Sequence, residues 1–187
     1  MKLQVKQDTE GKYGFVDSHG HWVIEPIFEE ADEFVERLAR VKYKGNYGFI
    51  NPDGTWAIQP IWEEPDYAFN EGVVWFYRGG KYGFLNRDGS IAINPIYDSV
   101  YSFNEGVAVV EYNGKYGAIN HDGSWAVKPI FDNIELFVNG IAQATLNGLI
   151  GFIYRNGSWA IQPKYTKLRG YKPVALNNKW ELIESHH

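Results

Sequence analysis

Two histidines and a series of charged residues are the side chains of this sequence whose types and spacing suit chemistry. His19 and His21 stand two residues apart beside Asp17. On a strand this spacing places both imidazoles on one face, as in two-histidine metal sites. No third ligand follows at a suitable spacing, and the three residues share a turn with a glycine. We therefore predict no bound metal and no cofactor.

The other charged residues recur at a constant interval. Acidic residues follow the aromatic residue after four prolines, and basic residues precede three tyrosines: Glu29, Glu63, Asp98 and Asp132; Lys12, Lys81 and Lys115. An enzyme needs its catalytic groups brought together at one site, whereas these charged residues recur along the chain. We therefore interpret these columns as ion pairs between repeats or as a solvated edge. Asp88, Asp122 and the serines after the turn glycines fit turn chemistry. Because no nucleotide-binding, hydrolase or calcium-loop motif occurs, we predict that the chain is not an enzyme.

Composition and charge exclude further classes of partner. The chain has 187 residues, a net charge of −5 and 18 evenly spread Lys and Arg, so no basic stripe is available for nucleic acid. It contains no cysteine. The N-terminal sequence lacks the apolar core of a signal peptide, and no apolar run approaches the roughly 18 residues of a membrane span. We expect a cytoplasmic location as written, or an envelope or secreted one if a leader was removed.

A repeat organises the whole chain. Similar strings begin at Gly11, Gly45, Gly80, Gly114 and Gly148, 34 or 35 residues apart, a period typical of repeat architectures. The 7 Trp, 13 Tyr, 11 Phe and 20 Gly favour strands and tight turns. Each unit reads as a three-stranded antiparallel meander of strands c, a and b. We predict one all-β domain, 1–187, with repeats 11–44, 45–79, 80–113, 114–147 and 148–178 and terminal cap strands in 1–10 and 179–187.

The turns predict the register of each meander. Strands c and a are joined by residue pairs suited to the positive φ angles of type I′ turns: Lys44-Gly45, Gly79-Gly80, Asn113-Gly114, Asn147-Gly148 and Asn177-Asn178. A hairpin turn such as "NPDG" joins strands a and b, which would place Phe49 opposite Trp56 and Tyr47 opposite Ile58. Prolines 26, 60, 95, 129 and 163 are expected to end the b strands, where a missing donor costs least.

Both faces of such a meander are apolar, so each must be covered. We expect the rings of one meander to lie over the glycines of the next, the tryptophans contributing most to stability: Trp22, Trp56, Trp125 and Trp159; Gly14, Gly48, Gly83, Gly117 and Gly151. The predicted fold is an open solenoid or spiral of stacked meanders. A closed ring like a β-propeller is the alternative.

Two segments carry a family resemblance. "KYGFVDSHGHWVIEPIFEEADEF" and "KYGAINHDGSWAVKPIFDNIELF" resemble the bacterial WG-containing repeat family, and five concordant copies cover about Gly11 to Leu176. The resemblance implies a bacterial β-repeat array that serves as an interaction module without assigned chemistry. The sequence departs from the family pattern at Ile91, at Leu149-Ile150 and in the shortened link after Tyr165.

Positions that vary between repeats are the candidates for specificity, since fixed columns hold a repeat array together. On strand c and in the link before it, the candidate partner-binding residues are Trp75, Tyr77, Trp62, Tyr67, Arg40, Lys42 and Glu111. The aromatic ones would form a hot spot for an unknown protein or peptide. The first functional prediction is therefore a non-catalytic protein-interaction scaffold. Carbohydrate or cell-envelope binding, and a purely architectural or engineered repeat, are the alternatives.

Overall fold

The structure, a computed structural model, describes residues 2–66, 68–168, 171–176 and 179–184. Within these residues the regular structure consists of strands. Their bounds are β1 Gln4–Gln7, β2 Tyr13–Val16, β3 Trp22–Phe28, β4 Glu30–Ala31, β5 Ala39–Tyr43, β6 Asn46–Ile50, β7 Trp56–Trp62, β8 Glu64–Pro65, β9 Val73–Arg78, β10 Lys81–Asn86, β11 Ile91–Tyr97, β12 Ser99–Val100, β13 Ala108–Tyr112, β14 Lys115–Ile119, β15 Trp125–Phe131, β16 Asn133–Ile134, β17 Ile141–Leu146, β18 Leu149–Tyr154, β19 Trp159–Tyr165, β20 Tyr171–Leu176 and β21 Lys179–Glu184.

The strands form five antiparallel sheets and a C-terminal hairpin. Sheet 1 has the order β1-β2-β3, and sheets 2 to 5 are four-stranded with the orders β4-β5-β6-β7, β8-β9-β10-β11, β12-β13-β14-β15 and β16-β17-β18-β19. Strands β20 and β21 pair with each other. The predicted all-β array of tandem meanders is confirmed. The sequence did not reveal the first strand of sheets 2 to 5, a two-residue link strand that pairs with strand c, as Glu30 does with Lys42.

The chain divides into two compact units, residues 1–96 and 97–187. In the first unit, sheets 1 and 2 pack around Phe15, Phe28 and Val41. Sheets 2 and 3 pack around a second cluster that includes Phe49 and Phe76. In the second unit, the sheets pack around Val109, Phe131, Ala142, Ala144 and Ile153. Consecutive sheets within a unit therefore bury each other's faces, as the repeat predicts. A single domain over 1–187 stays a prediction.

The tryptophan column lies at the margin of the core rather than at its centre. Trp56 is half-buried, with its ring 6.0 Å from Phe28 of sheet 1, and Trp159 lies 5.6 Å from Phe131 of sheet 4. Trp22 is half-buried as well, and Trp125 is 37% exposed. The phenylalanines of strand a are enclosed instead, since Phe49 is 1% exposed. Trp56 and Trp159 thus contact the preceding sheet. That the tryptophans contribute most to stability stays a prediction.

The predicted register between strands a and b is also wrong. In sheet 2, Asn51 and Thr55 close a three-residue turn in which Gly54 has a φ of 83°. This turn is one residue shorter than predicted, so that Ile50, not Phe49, pairs with Trp56. Phe49 pairs with Ile58 and Tyr47 with Trp62, which leaves a bulge that contains Pro60. The prolines therefore lie inside the b strands and do not end them. The type I′ turns between c and a are confirmed at 44–45, 79–80, 113–114 and 147–148, where both residues have positive φ. The pair Asn177-Asn178 lies outside the described residues.

The glycine column makes room for its own sheet, not for rings of the next one. A Cβ at Gly48 would lie 2.6 Å from the Ile58 carbonyl oxygen and 2.8 Å from the Pro60 nitrogen, both in the bulged strand b. The same backbone approach occurs at Gly14, Gly83, Gly117 and Gly151. At Gly151 a Trp159 ring atom is close as well, at 2.7 Å. Glycine is required because the bulge brings two backbones of one sheet together.

Candidate functional site

A row of three adjacent side chains varies from sheet to sheet. It crosses the link strand, strand c and strand a, and we call it the variable row. The register places its members directly opposite one another: Glu30, Lys42 and Tyr47 in sheet 2; Glu64, Tyr77 and Tyr82 in sheet 3; Ser99, Glu111 and Tyr116 in sheet 4; Asn133, Thr145 and Ile150 in sheet 5. Two members of each row, on the link strand and strand c, follow no repeat rule.

In sheet 2 the variable row is internally neutralised. The Lys42 ammonium donates to Glu30 Oε1 at 3.0 Å and lies 5.1 Å from the centroid of the Tyr47 ring. The Tyr47 hydroxyl donates to Glu30 Oε2 at 2.6 Å. These two hydrogen bonds hold the pKa of Glu30 below its ordinary value, the tyrosine making the larger contribution, and the bond to Glu30 raises the pKa of Lys42. The row of sheet 2 therefore satisfies its own charges.

Arg40 is a second cation that contacts the Tyr47 ring. Its Nε donates to Asp32 Oδ2 at 2.6 Å, and its Cζ lies 4.8 Å from the Tyr47 centroid. Its Nη1 also donates to the Pro65 carbonyl at 3.0 Å, which ties sheet 2 to the link strand of sheet 3. Arg40 and Lys42 thus have structural partners within the chain, which does not favour their predicted role in binding a partner.

Sheet 3 replaces both cations by rings. Trp75 occupies the place of Arg40, opposite Phe84, and Tyr77 occupies the place of Lys42, opposite Tyr82. Both rings contact Tyr82, with centroids 5.5 Å away for Trp75 and 5.0 Å for Tyr77. The side chains of Trp75, Tyr77 and Tyr82 are each half-buried. The structure therefore brings Trp75 and Tyr77 together as the sequence suggested, and it adds Tyr82.

Two exposed acids of sheet 3, Glu63 and Glu64, have no partner among the described residues. Glu64 is exposed and lies opposite Tyr77, as Glu30 lies opposite Lys42, but it accepts no hydrogen bond and forms no ion pair with a described residue. The same holds for Glu63, although its counterparts cap turns: Glu29 accepts from the Gly45 backbone NH at 3.1 Å and Asp132 from the Gly148 NH at 3.0 Å. Sheet 3 thus carries two uncompensated carboxylates beside three rings.

A cleft of 270 Å³ adjoins the cluster. It is lined by Ile61, Trp62, Glu63, Tyr77 and Arg78. Trp62 is only 5% exposed, its indole NH has no acceptor among the described residues, and the Arg78 guanidinium lies 6.0 Å from its ring centroid. Trp62 therefore forms the floor of the cleft and Tyr77 one wall. Tyr67, the fourth aromatic residue of the predicted patch, lies outside the described residues.

Glu111 is the remaining candidate, and it belongs to the variable row of sheet 4. It is half-buried and lies opposite Tyr116. Burial first, and then the charge of Glu111, raise the pKa of the Tyr116 hydroxyl. Glu111 is in the second compact unit, whereas Trp75, Tyr77 and Tyr82 are in the first.

Glu64 and Tyr82 are the site residues that sequence reasoning missed. Glu64 lies on the two-residue link strand, which is too short to give an alternation pattern. Tyr82 belongs to the repeated "YG" motif, which is typical of a fixed structural residue. The signal that could have found both is the change from Lys42 to Tyr77 at the strand c position that lies between them.

The remaining polar clusters are explained by turns. Asp17 accepts from the backbone NH groups of His19 and His21 at 2.8 and 2.9 Å, and the His21 bond in particular holds the Asp17 pKa below its ordinary value. Across residues 2–66, 68–168, 171–176 and 179–184, no group of three or more His, Asp and Glu is placed to hold a metal ion. In the same residues, no helix is long and apolar enough to cross a membrane.

Comparison with known proteins identifies five matched segments. The family model described as "WG containing repeat" matches residues 13–47, 47–82, 82–116, 116–149 and 150–180. No curated protein matches the chain. A solved structure described as KlHsv2 with loop 6CD replaced by a Gly-Ser linker is similar at 10% identity and a TM-score of 0.52, covering 85% of this chain and 61% of that one. This likeness concerns the fold alone.

Two further solved structures come from B. thetaiotaomicron. They are the extracellular domains of the putative one component system BT4673 and of the putative hybrid two component system BT4673, at 14% and 15% identity and TM-scores of 0.44 and 0.45. The matches cover 98% and 95% of this chain but only 34% and 30% of theirs. The chain thus spans less than two thirds of each of these three structures. Such low similarity carries no inference, and the cytoplasmic location stays a prediction.

Proposed function

We propose that this chain, which belongs to the WG containing repeat family, is a scaffold that binds another protein through sheet 3. The observation that carries this proposal is the difference between sheets 2 and 3. The same three positions hold a neutralised Glu-Lys-Tyr cluster in one sheet and an uncompensated Glu-Tyr-Tyr cluster in the next. A repeat array gains specificity where one unit departs from the others.

The geometry of the rings supports a protein partner. Trp75 and Tyr77 are half-buried and meet Tyr82 at interplanar angles of 71° and 55°. The three rings are therefore tilted against one another and form no common flat platform, whereas a sugar ring stacks on a flat, open aromatic face. Half-buried Trp and Tyr beside a cleft resemble the aromatic anchors that dominate protein interfaces. The exposed Ile61, at 66%, extends the apolar rim of this surface.

The proposal is tested by capture of a partner with three forms of the purified chain: the wild type and two double variants. In the double variant Trp75→Arg with Tyr77→Lys, each introduced residue is the one that sheet 2 carries at the same place, so the fold should be retained. A control double variant, Gln143→Arg with Thr145→Lys, adds the same charges at the equivalent positions of sheet 5.

Partners captured from the native host are identified by mass spectrometry, then purified and titrated calorimetrically. We expect the sheet 3 variant to lose at least tenfold in affinity and the sheet 5 control to bind like the wild type, with the three melting temperatures similar. A partner that binds all three forms equally would place the interface outside sheet 3 and refute the proposal.

A further inference from the structure

We propose that the variable row of sheet 3 takes a lysine side chain from a basic segment of its partner, beside Glu64 and Tyr82, the counterparts of the two residues that hold Lys42 in sheet 2. This inference rests on the proposed function and names the chemistry that the site recognises. It is drawn from a comparison of two sheets of the same chain, one of which contains the bound cation.

Sheet 2 shows how this backbone holds an ammonium group. The Lys42 nitrogen lies between the Glu30 carboxylate, at 3.0 Å, and the Tyr47 ring, at 5.1 Å from its centroid. A carboxylate on one side and the face of an aromatic ring on the other are the two partners that stabilise an ammonium near a protein surface. The lysine side chain itself is 28% exposed, so the site lies at the rim of the sheet and not in its core.

Sheet 3 keeps both partners of the ammonium and lacks the ammonium. Glu64 corresponds to Glu30 on the link strand, and Tyr82 corresponds to Tyr47 on strand a. Tyr77 replaces the lysine and supplies a second ring, and Trp75 a third. An aromatic recess with a carboxylate at its edge is a form of site that attracts alkylammonium groups.

The charges of the neighbourhood also favour a cationic ligand. Glu63 and Glu64 are both exposed, and neither is paired with a described residue. Arg78 lines the adjoining cleft together with Glu63; its guanidinium lies over the Trp62 ring and forms no ion pair with either carboxylate among the described residues. The chain as a whole carries a net charge of −5, which adds a weak long-range attraction for a basic segment.

The chemistry is tested with two short peptides followed by NMR. The probe is acetyl-Gly-Ser-Lys-Ser-Gly-amide, and its matched control carries Nε-acetyl-lysine, which keeps the length of the side chain and removes its charge. Resonances of the Trp75 indole NH and of the Tyr77 and Tyr82 rings report binding. We expect the lysine peptide to shift these resonances saturably and to bind at least tenfold more tightly than the acetylated one, with an affinity that falls as salt is added.

Two reciprocal variants test the comparison of the sheets. Tyr77→Lys places an internal ammonium beside Glu64 and should abolish binding of the lysine peptide, whereas Thr145→Lys in sheet 5 adds the same charge without effect. Lys42→Tyr converts the row of sheet 2 into that of sheet 3 and should create a second site, seen as new shifts at Tyr47. Equal binding of the two peptides, or unchanged binding to the Tyr77→Lys variant, would overturn the inference.

The outcomes separate this inference from the proposed function. If a captured partner loses affinity for the sheet 3 double variant while the lysine peptide does not bind, sheet 3 is the interface and the lysine chemistry is wrong. If the captured partner binds every variant equally and the lysine peptide binds at sheet 3, the cation site exists but the proposed interface does not.

Discussion

Replacing Gly48 by alanine tests the origin of the glycine column. The new Cβ would lie 2.6 Å from the Ile58 oxygen and 2.8 Å from the Pro60 nitrogen, roughly 1 Å inside ordinary contact distance. Backbone atoms on both sides leave no flexible side chain to move, so strand b must shift away from strand a. Overpacking of this kind costs about 1–3 kcal/mol, and weakened ladder hydrogen bonds add about 1 kcal/mol. We expect a loss of about 3 kcal/mol.

Gly45 provides the matched control in the same sheet. It has a φ of 83°, and no described atom beyond its chain neighbours lies within 4 Å of the place that a methyl group would take, so Gly45→Ala carries only the conformational cost of about 1 kcal/mol. Urea unfolding followed by tryptophan fluorescence measures both variants. With a slope of about 2 kcal/mol per M, the midpoint should fall by about 1.5 M for Gly48→Ala and about 0.5 M for Gly45→Ala. Equal shifts, or a smaller one for Gly48→Ala, would refute the backbone-contact explanation.

Three further predictions concern strain, burial and acid stability. Arg37 has a φ of 70° where the later repeats carry Gly72, Gly106 and Gly140, so Arg37→Gly should raise the free energy of unfolding by about 1 kcal/mol, measured by urea titration. Phe49→Ala should lower the free energy of unfolding by about 3–5 kcal/mol, and replacing the half-buried Trp56 by alanine should lower it clearly less. The reverse order would support the prediction that the tryptophans contribute most to stability. Hydroxyl and backbone NH donors of the turns lower the pKa values of Asp53, Asp88 and Asp122. The stabilisation that these three carboxylates contribute is therefore fully present above pH 3.8, the ordinary pKa of an aspartate, and is lost as the pH falls through their lowered pKa values in the folded protein. Asn156 makes the same turn contacts in sheet 5, so replacing Asp by Asn at all three positions should keep the fold. We expect the melting temperature of this variant to fall less than that of the wild type below about pH 4. An equal fall in both proteins would show that these turns do not cause the loss of stability in acid.

Local rules predicted the turns and the repeat but not the register. Lys44-Gly45 was predictable because a two-residue loop with positive φ admits few residue types. The three-residue turn that ends at Gly54 and the bulge around Pro60 were not, since the residues "NPDG" can close a hairpin with a three-residue or a four-residue loop. The link strand was missed because two residues carry no periodicity. Variation between repeats did indicate Trp75 and Tyr77, whereas Glu64 joined them only once the pairing of strands was known.

The prolines inside the b strands protect the chain against mispairing of its strand edges. Strand b forms one outer edge of every sheet, and its proline has no NH to offer at the point where the strand also bulges. Five near-copies in one molecule would otherwise be able to pair with the wrong copy, or with a copy in a second molecule, because their edges are almost interchangeable. The interrupted edge makes each such mispairing incomplete, so a sequence can repeat itself five times without its sheets joining side by side into aggregates.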